Sequence, residues 1–333
     1  MAPLAPLPAQ AGAWPVDPAL LADVLVRVVR IAAFVAGGVF LANVAVAMGA
    51  VERIAGLSGY LTGPANLPDE VGTAILTTAA STTAGYGMLA EFRESGALDD
   101  RATLVAVTIN TFFGFVQHVF TYYVPVLIPI LGVETGVLYV GTRAAIALGI
   151  TLAGVLGGAV LLSPANVDRT ATVETASAPD GGRPSLRAAA AEAWERTVPK
   201  LRRIVPRLAV VYAVVAVLVA RLDLRALTAV ADPLTAAVGL PGAAVPVIAV
   251  FAFDTTAGAA TIAPLLGGTF TPRTAVATML VGGIISFAVS TFKRSIPFQY
   301  GIWGPAFGSK VIAVNTALKV AFIGAALAVL LAG

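Results

Sequence analysis

The chain has no cysteine and a single histidine, His118, among 333 residues. Without thiols it can form no disulfide, no thiolate metal site and no cysteine nucleophile, and one histidine cannot build a metal centre alone. Charge is also scarce: Asp, Glu, Lys and Arg make up 12% of the chain, where a soluble domain carries roughly 25%. There is no Gly-rich loop ending in Lys-Ser/Thr, no His-Glu-x-x-His and no Gly-x-Ser-x-Gly. ATP hydrolysis, zinc proteolysis and serine hydrolysis therefore lack their usual sequence basis, and no enzymatic activity, resident metal or cofactor is expected. The formal charge of +3 is too small to suggest a nucleic-acid partner.

Hydrophobic residues are abundant instead, at 58%, with a mean hydropathy of +0.89. Crossing a bilayer takes about 20 apolar residues. Apolar stretches of about that length occur at residues 31–50, 71–90, 102–131, 137–163, 204–221, 243–263, 274–296 and 309–332. These features predict an all-α, multi-pass protein of the cell membrane, with the lipid bilayer as its first partner. Residues 1–18 are rich in Pro and Ala and lack a basic segment, so no cleavable signal peptide is expected there.

The apolar segments fall into two similar halves. Ser81-Thr82-Thr83-Ala84-Gly85 recurs as Asp254-Thr255-Thr256-Ala257-Gly258, 173 positions later. Arg30-Ile31 matches Arg203-Ile204 and Leu67-Pro68 matches Leu240-Pro241 at the same offset. After a one-residue slip, Arg101, Pro125, Gly132 and Gly136 match Arg273, Pro297, Gly304 and Gly308. The expected organisation is a tail over 1–21, a first membrane repeat over 22–163, a linker over 164–200 and a second repeat over 201–333. Arg169, Arg183, Arg187, Arg196, Lys200, Arg202 and Arg203 crowd the linker and its end, so the positive-inside rule makes it cytoplasmic. Ser185 could cap an interfacial helix at its end.

In each half the second apolar segment is dense in Ser, Thr and Gly. Broken backbone at membrane depth is tolerated only where protein or a wet cavity shields it. If this segment is re-entrant, each half has three crossings and the halves are inverted; if it crosses, the halves are parallel. We expect the inverted arrangement, with broken helices, as in many transporter folds. It puts Arg53, Arg93, Arg101, Lys293, Arg294 and Lys310 inside and Arg27, Arg30, Arg221, Arg225 and Arg273 outside. Further breaks are expected at Pro125, Pro129 and Pro297.

The candidate solute-binding residues follow from polar groups in these segments. Asp254 is a carboxylate within an apolar stretch, which is costly unless it is paired or hydrated. It could bind a cation or a solute hydroxyl. Ser81, Thr82, Thr83 and Gly85, with Thr255, Thr256 and Gly258, would add hydroxyls, exposed amides and close backbone approach. The bland alternative is that the hydroxyls bond back to their own helix. Asn110, Gln117 and Thr121 share a helical face, beside His118, whose side chain is of the type that could carry protons. At the positions of Thr121 and Tyr122 the second half has Lys293 and Arg294, which could attract an anion or anchor the helix at the interface.

Leu67-Pro68 with Ser81–Gly85, and Leu240-Pro241 with Asp254–Gly258, extended by Pro125, Gly132, Pro297 and Gly304, resemble the Gate or nucleoside recognition domain family of membrane proteins. That group includes the spore maturation proteins A and B, the membrane part of ferrous-iron transporter B and part of the concentrative nucleoside transporters. The resemblance implies a two-repeat helical fold and transport of a small molecule. The chain departs from it in lacking a GTPase loop and soft metal ligands. The expected function is secondary transport of a small polar solute, nucleoside-like or an organic anion, bound between the two repeated pentapeptides. A coupling ion, H+ or Na+, would be the only cofactor. A non-transporting scaffold or sensor and a metal-ion permease are the alternatives, and the sequence leaves a homo-oligomer open.

Overall fold

A computed structural model describes residues 59–168, 185–221, 235–291 except 237, and 295–332, with scattered positions between 22 and 48. The described residues are helical and contain no strand. The expected span 31–50 lies largely outside them. The elements are α1 (Asp69–Ala80), α2 (Thr82–Glu94), α3 (Asp100–Ile109), α4 (Thr111–His118), a π-helical stretch (Val119–Leu127), α5 (Ile128–Leu131) and α6 (Val133–Leu161). They continue with α7 (Leu186–Arg221), α8 (Ala244–Phe253), α9 (Thr255–Ile262), α10 (Pro272–Ser290) and α11 (Ile296–Leu331). Among the described residues, three helical runs are long and apolar enough to cross a membrane: Asp100–Leu131, Val133–Leu161 and Ile296–Leu331. The protein is thus a helical membrane protein. The helix expected at the linker's end and the span 204–221 form one element, α7, which runs through Pro199 and Pro206.

The second apolar segment of each half folds back on itself. Ser81 breaks it with φ −145° and ψ 107°, and Asp254 does so with φ −147° and ψ 114°. In an unbroken helix, residues 78 and 85 would lie about 10 Å apart along the axis. Instead, a Cβ on Gly85 would sit 2.6 Å from the Thr78 amide nitrogen, and one on Gly258 would sit 2.5 Å from Phe251 Cα. The glycine in each pentapeptide is therefore what lets the two arms of a helical hairpin touch. Each break is capped by its own side chain. Ser81 Oγ accepts from the Ala84 amide at 3.3 Å and Asp254 Oδ1 from the Ala257 amide at 2.8 Å. Such caps satisfy an otherwise orphan donor and contribute about 1 kcal/mol.

The correspondence between halves extends beyond the hairpins. Before them, Leu67 donates to the Thr62 carbonyl at 3.0 Å and Leu240 to the Thr235 carbonyl at 2.9 Å. After them, Asp99 and Thr271 cap α3 and α10 with their side chains. The prolines at which breaks were expected stand at a change of helix type or at helix starts. Pro125 is held inside the π-helical stretch, and Pro129 and Pro297 sit in the first turns of α5 and α11, where a missing amide hydrogen costs little. The chain is interrupted at Gly132 (φ 79°, ψ 164°) and at Gly304 (φ 71°, ψ 166°), a region that side chains with a Cβ avoid.

The cores exchange elements. One packs α1, α2 and α3 of the first half against Trp303, Phe307 and Val311 of the second. The other packs α8, α9 and α10 of the second half against Leu131, Tyr139, Ile146 and other residues of the first. Leu131 and Tyr139 occupy the repeat positions of Trp303 and Val311, so each hairpin shares a core with the chain around the Gly132 or Gly304 interruption of the other half. The halves differ where α3 and α4 meet. Asn110 Nδ2 donates to Thr78 Oγ1 at 2.9 Å, both fully buried, and Thr151 Oγ1 donates to the freed Ile109 carbonyl and accepts from the Phe112 amide. The second half has Phe251 and Gly282 at the places of Thr78 and Asn110, with the ring about 3.0 Å from where a Gly282 Cβ would be, and α10 runs unbroken.

Candidate functional site

A cavity of about 780 Å3 lies where α2, α4, the π-helical stretch, α6, α10 and α11 converge beside the α3–α4 break. Its position follows from the local structure. The first hairpin stops at Ser81, the α3–α4 break turns at Asn110, and Gly114 presents no side chain. Apolar walls come from Phe115, Ile146, Ile150, Phe287 and Ile323. Further polar groups come from Thr82, Asn110, His118, Gln299 and Asn315. Two cations complete it, Arg143 from the first half and Lys319 from the second, and no Asp or Glu lines it among the described residues.

Both cations are half-buried. Arg143 Nη2 donates to Tyr123 Oη at 3.3 Å, and its Nη1 lies 3.9 Å from where a Cβ on Gly283 would sit. Lys319 Nζ lies 5.4 Å from the centroid of the Phe287 ring. A π-face attracts a cation without neutralising it. Neither cation has a carboxylate partner among the described residues; the ion pairs there join Asp100 to Arg93 and to Lys310, each at 2.8 Å. One buried acceptor is also unmet: Asn110 Oδ1 has no hydrogen-bond partner, while its Nδ2 is committed to Thr78.

The residues expected from sequence are divided by the structure. Thr82, Asn110 and His118 line the cavity. Thr82 Oγ1 donates to Gln117 Oε1 at 2.8 Å, which places Gln117 just behind the lining. His118 is exposed, with Nδ1 2.9 Å from the Gly114 carbonyl. Ser81 and Asp254 act as caps, and Gly85 and Gly258 are buried at hairpin contacts. Thr83 is exposed and Thr255 begins α9. Thr256 Oγ1 lies 3.0 Å from Tyr122 Oη, which ties the second hairpin tip to the π-helical stretch of the first half. Lys293 and Arg294 lie outside the described residues.

Arg143 and Lys319 were not singled out as site residues from the sequence. The signal was available, since both are charges within long apolar runs, the criterion that drew attention to Asp254.

The chain is similar to two uncharacterized proteins of Methanocaldococcus jannaschii. One is 24% identical over 295 residues, covering 87% of this chain and 89% of the relative. The other is 21% identical over 304 residues, covering 90% and 95%. No protein-family model matches the chain, and no solved structure matches it.

Proposed function

We propose that the protein is a secondary transporter that carries a small polar solute through the cavity between its two halves. The observation that carries this reading is the cavity itself: it is polar, it takes residues from both repeats, and it adjoins the tip of a broken helical hairpin. Helix breaks are costly in a membrane and are retained where they line a solute path.

The same reading takes the halves as inverted repeats that rock about the cavity. Its support is the placement of the hairpin bases. The base of the first hairpin is tied to the end of α6, where Asn166 Nδ2 donates to Asp99 Oδ2 at 2.7 Å. The base of the second lies against the end of α11, with Leu331 Cδ2 3.7 Å from the Gly239 Cβ position. Lys310 joins Asp100 and Arg93 at the first base, which agrees with a common cytoplasmic side for these charges.

The test is uptake into proteoliposomes across a panel of nucleosides, organic acids, phosphate and divalent metals. Gly114→Leu, which would fill the cavity, should abolish the flux of any solute that moves while leaving the protein folded. Flux that survives the filled cavity, or a protein that moves no solute of the panel, would sink the proposal.

A further inference from the structure

We infer that the solute bound in this cavity is an organic anion carrying about two negative charges, its oxyanion oxygens held between Arg143 and Lys319. The inference rests on the cavity being the solute site and goes further by naming the class of solute.

The two cations come from different halves but approach one face of α10. Arg143 Nη1 meets it at Gly283 and Lys319 Nζ at Phe287. These positions are four residues apart, so the contacts lie on the order of 6 Å apart along the helix axis. That separation suits the two ends of a short dicarboxylate, or the oxygens of one phosphate bridging both heads. Without such a ligand the arrangement is unfavourable: two like charges share a half-buried, mostly apolar cavity, where Arg143 meets the Tyr123 hydroxyl and Lys319 the Phe287 ring, neither of them anionic, and burying an unpaired charge is costly. The lack of an acidic lining residue among those described leaves the counter-charge to the solute. The Phe115, Ile146, Ile150 and Ile323 walls would face its carbon skeleton, while Thr82 and Asn315 offer hydrogen bonds to neutral polar groups.

The source of the oxyanion, carboxylate or phosphate, is separated by experiment. Thermal unfolding of the purified full chain in nanodiscs, at fixed sodium chloride, is followed against succinate, phenyl phosphate, inorganic phosphate and uridine. Succinate or a phosphate should raise the midpoint saturably, and the neutral uridine should not. Arg143→Gln and Lys319→Gln should each weaken that binding about tenfold or more, whereas Lys319→Arg should stay within about threefold. Lys319→Gln should also raise the ligand-free midpoint by removing one of two like charges; a merely structural lysine would lower it. Stabilisation by uridine alone, equal anion binding by the glutamine variants, or no stabilisation by any of the three anions would overturn the inference.

Binding and flux are read separately. An anion that binds through Arg143 and Lys319 but is not moved in proteoliposomes upholds the anion site and removes the transport reading. A neutral solute that is moved does the reverse.

Discussion

Asn110 and Thr78 are joined by a fully buried hydrogen bond, Nδ2 to Oγ1 at 2.9 Å, at the positions that hold Gly282 and Phe251 in the second half. A polar pair and an aromatic-on-glycine pair solve the same packing problem at the same place in the repeat. Only the polar solution accompanies a helix break, and that break lines the cavity. Thr78→Val should cost about 1–3 kcal/mol, because it strands a buried amide donor. Thr78→Val and Asn110→Ala should be non-additive by about 0.5–3 kcal/mol in a double-mutant cycle read by thermal unfolding. Strict additivity would show that the bond contributes nothing.

The hairpins depend on glycine at their crossing points. Gly85→Ala would bring a methyl to 2.6 Å from the Thr78 amide nitrogen, and Gly258→Ala to 2.5 Å from Phe251 Cα. Backbone atoms cannot step aside as a flexible side chain can, so each substitution should destabilise by about 1–3 kcal/mol or more. Gly87, two residues along α2, has no atom within 4 Å of its Cβ position. Gly87→Ala should be neutral or stabilising by up to about 1 kcal/mol, since alanine is the better helix former. Midpoints of thermal unfolding for the three variants check the ordering.

Asp254 is an N-cap in the structure, with Oδ1 2.8 Å from the Ala257 amide. Asp254→Ala should cost about 0.5–2 kcal/mol through the lost cap. Asp254→Ser should retain most of that stability, because Ser81 performs the same capping in the first half. If solute uptake by Asp254→Ser matches the unsubstituted protein, the carboxylate serves the fold. If uptake is lost while the midpoint holds, the charge takes part in coupling, as the sequence suggested.

The absence of cysteine makes every introduced thiol unique. Ser95 and Thr269 are exposed at the bases of the first and second hairpins. In an inverted arrangement, Ser95→Cys and Thr269→Cys should react with a membrane-impermeant maleimide from opposite sides of the bilayer. Ser95→Cys should react from the cytoplasmic side, which it shares with the end of α6 and hence the linker. Labelling of both from one side would establish parallel repeats.

The Arg93–Asp100–Lys310 cluster is partly solvated, with side-chain exposures of 29%, 41% and 56%. Solvent screening limits such pairs, so Lys310→Ala should change stability by no more than about 1 kcal/mol, and less at high salt. A larger, salt-independent loss would mean that Lys310 packs rather than pairs.

Much of the fold was legible in the sequence because it is governed by local rules. Low charge and long apolar runs identify a membrane protein. The break in each pentapeptide is legible because Ser and Asp cap helices and glycine permits close approach. The helical pattern does change around Pro125, Pro129 and Pro297, and the positive-φ glycines Gly132 and Gly304 add interruptions of their own. Of the expected site residues, Thr82, Asn110 and His118 line the cavity, and the repeated motifs proved to shape hairpins as much as to present groups to a solute.

By itself the sequence determined the helical membrane character, the duplication and the positions where helices must start, stop or touch, since each depends on residues near one another in the chain. Only the tertiary structure decided where charge meets the cavity. Arg143 and Lys319 are 176 residues apart and come together because the last helices of the two halves pack on each other, Phe322 against Gly149, a long-range choice that no local pattern records.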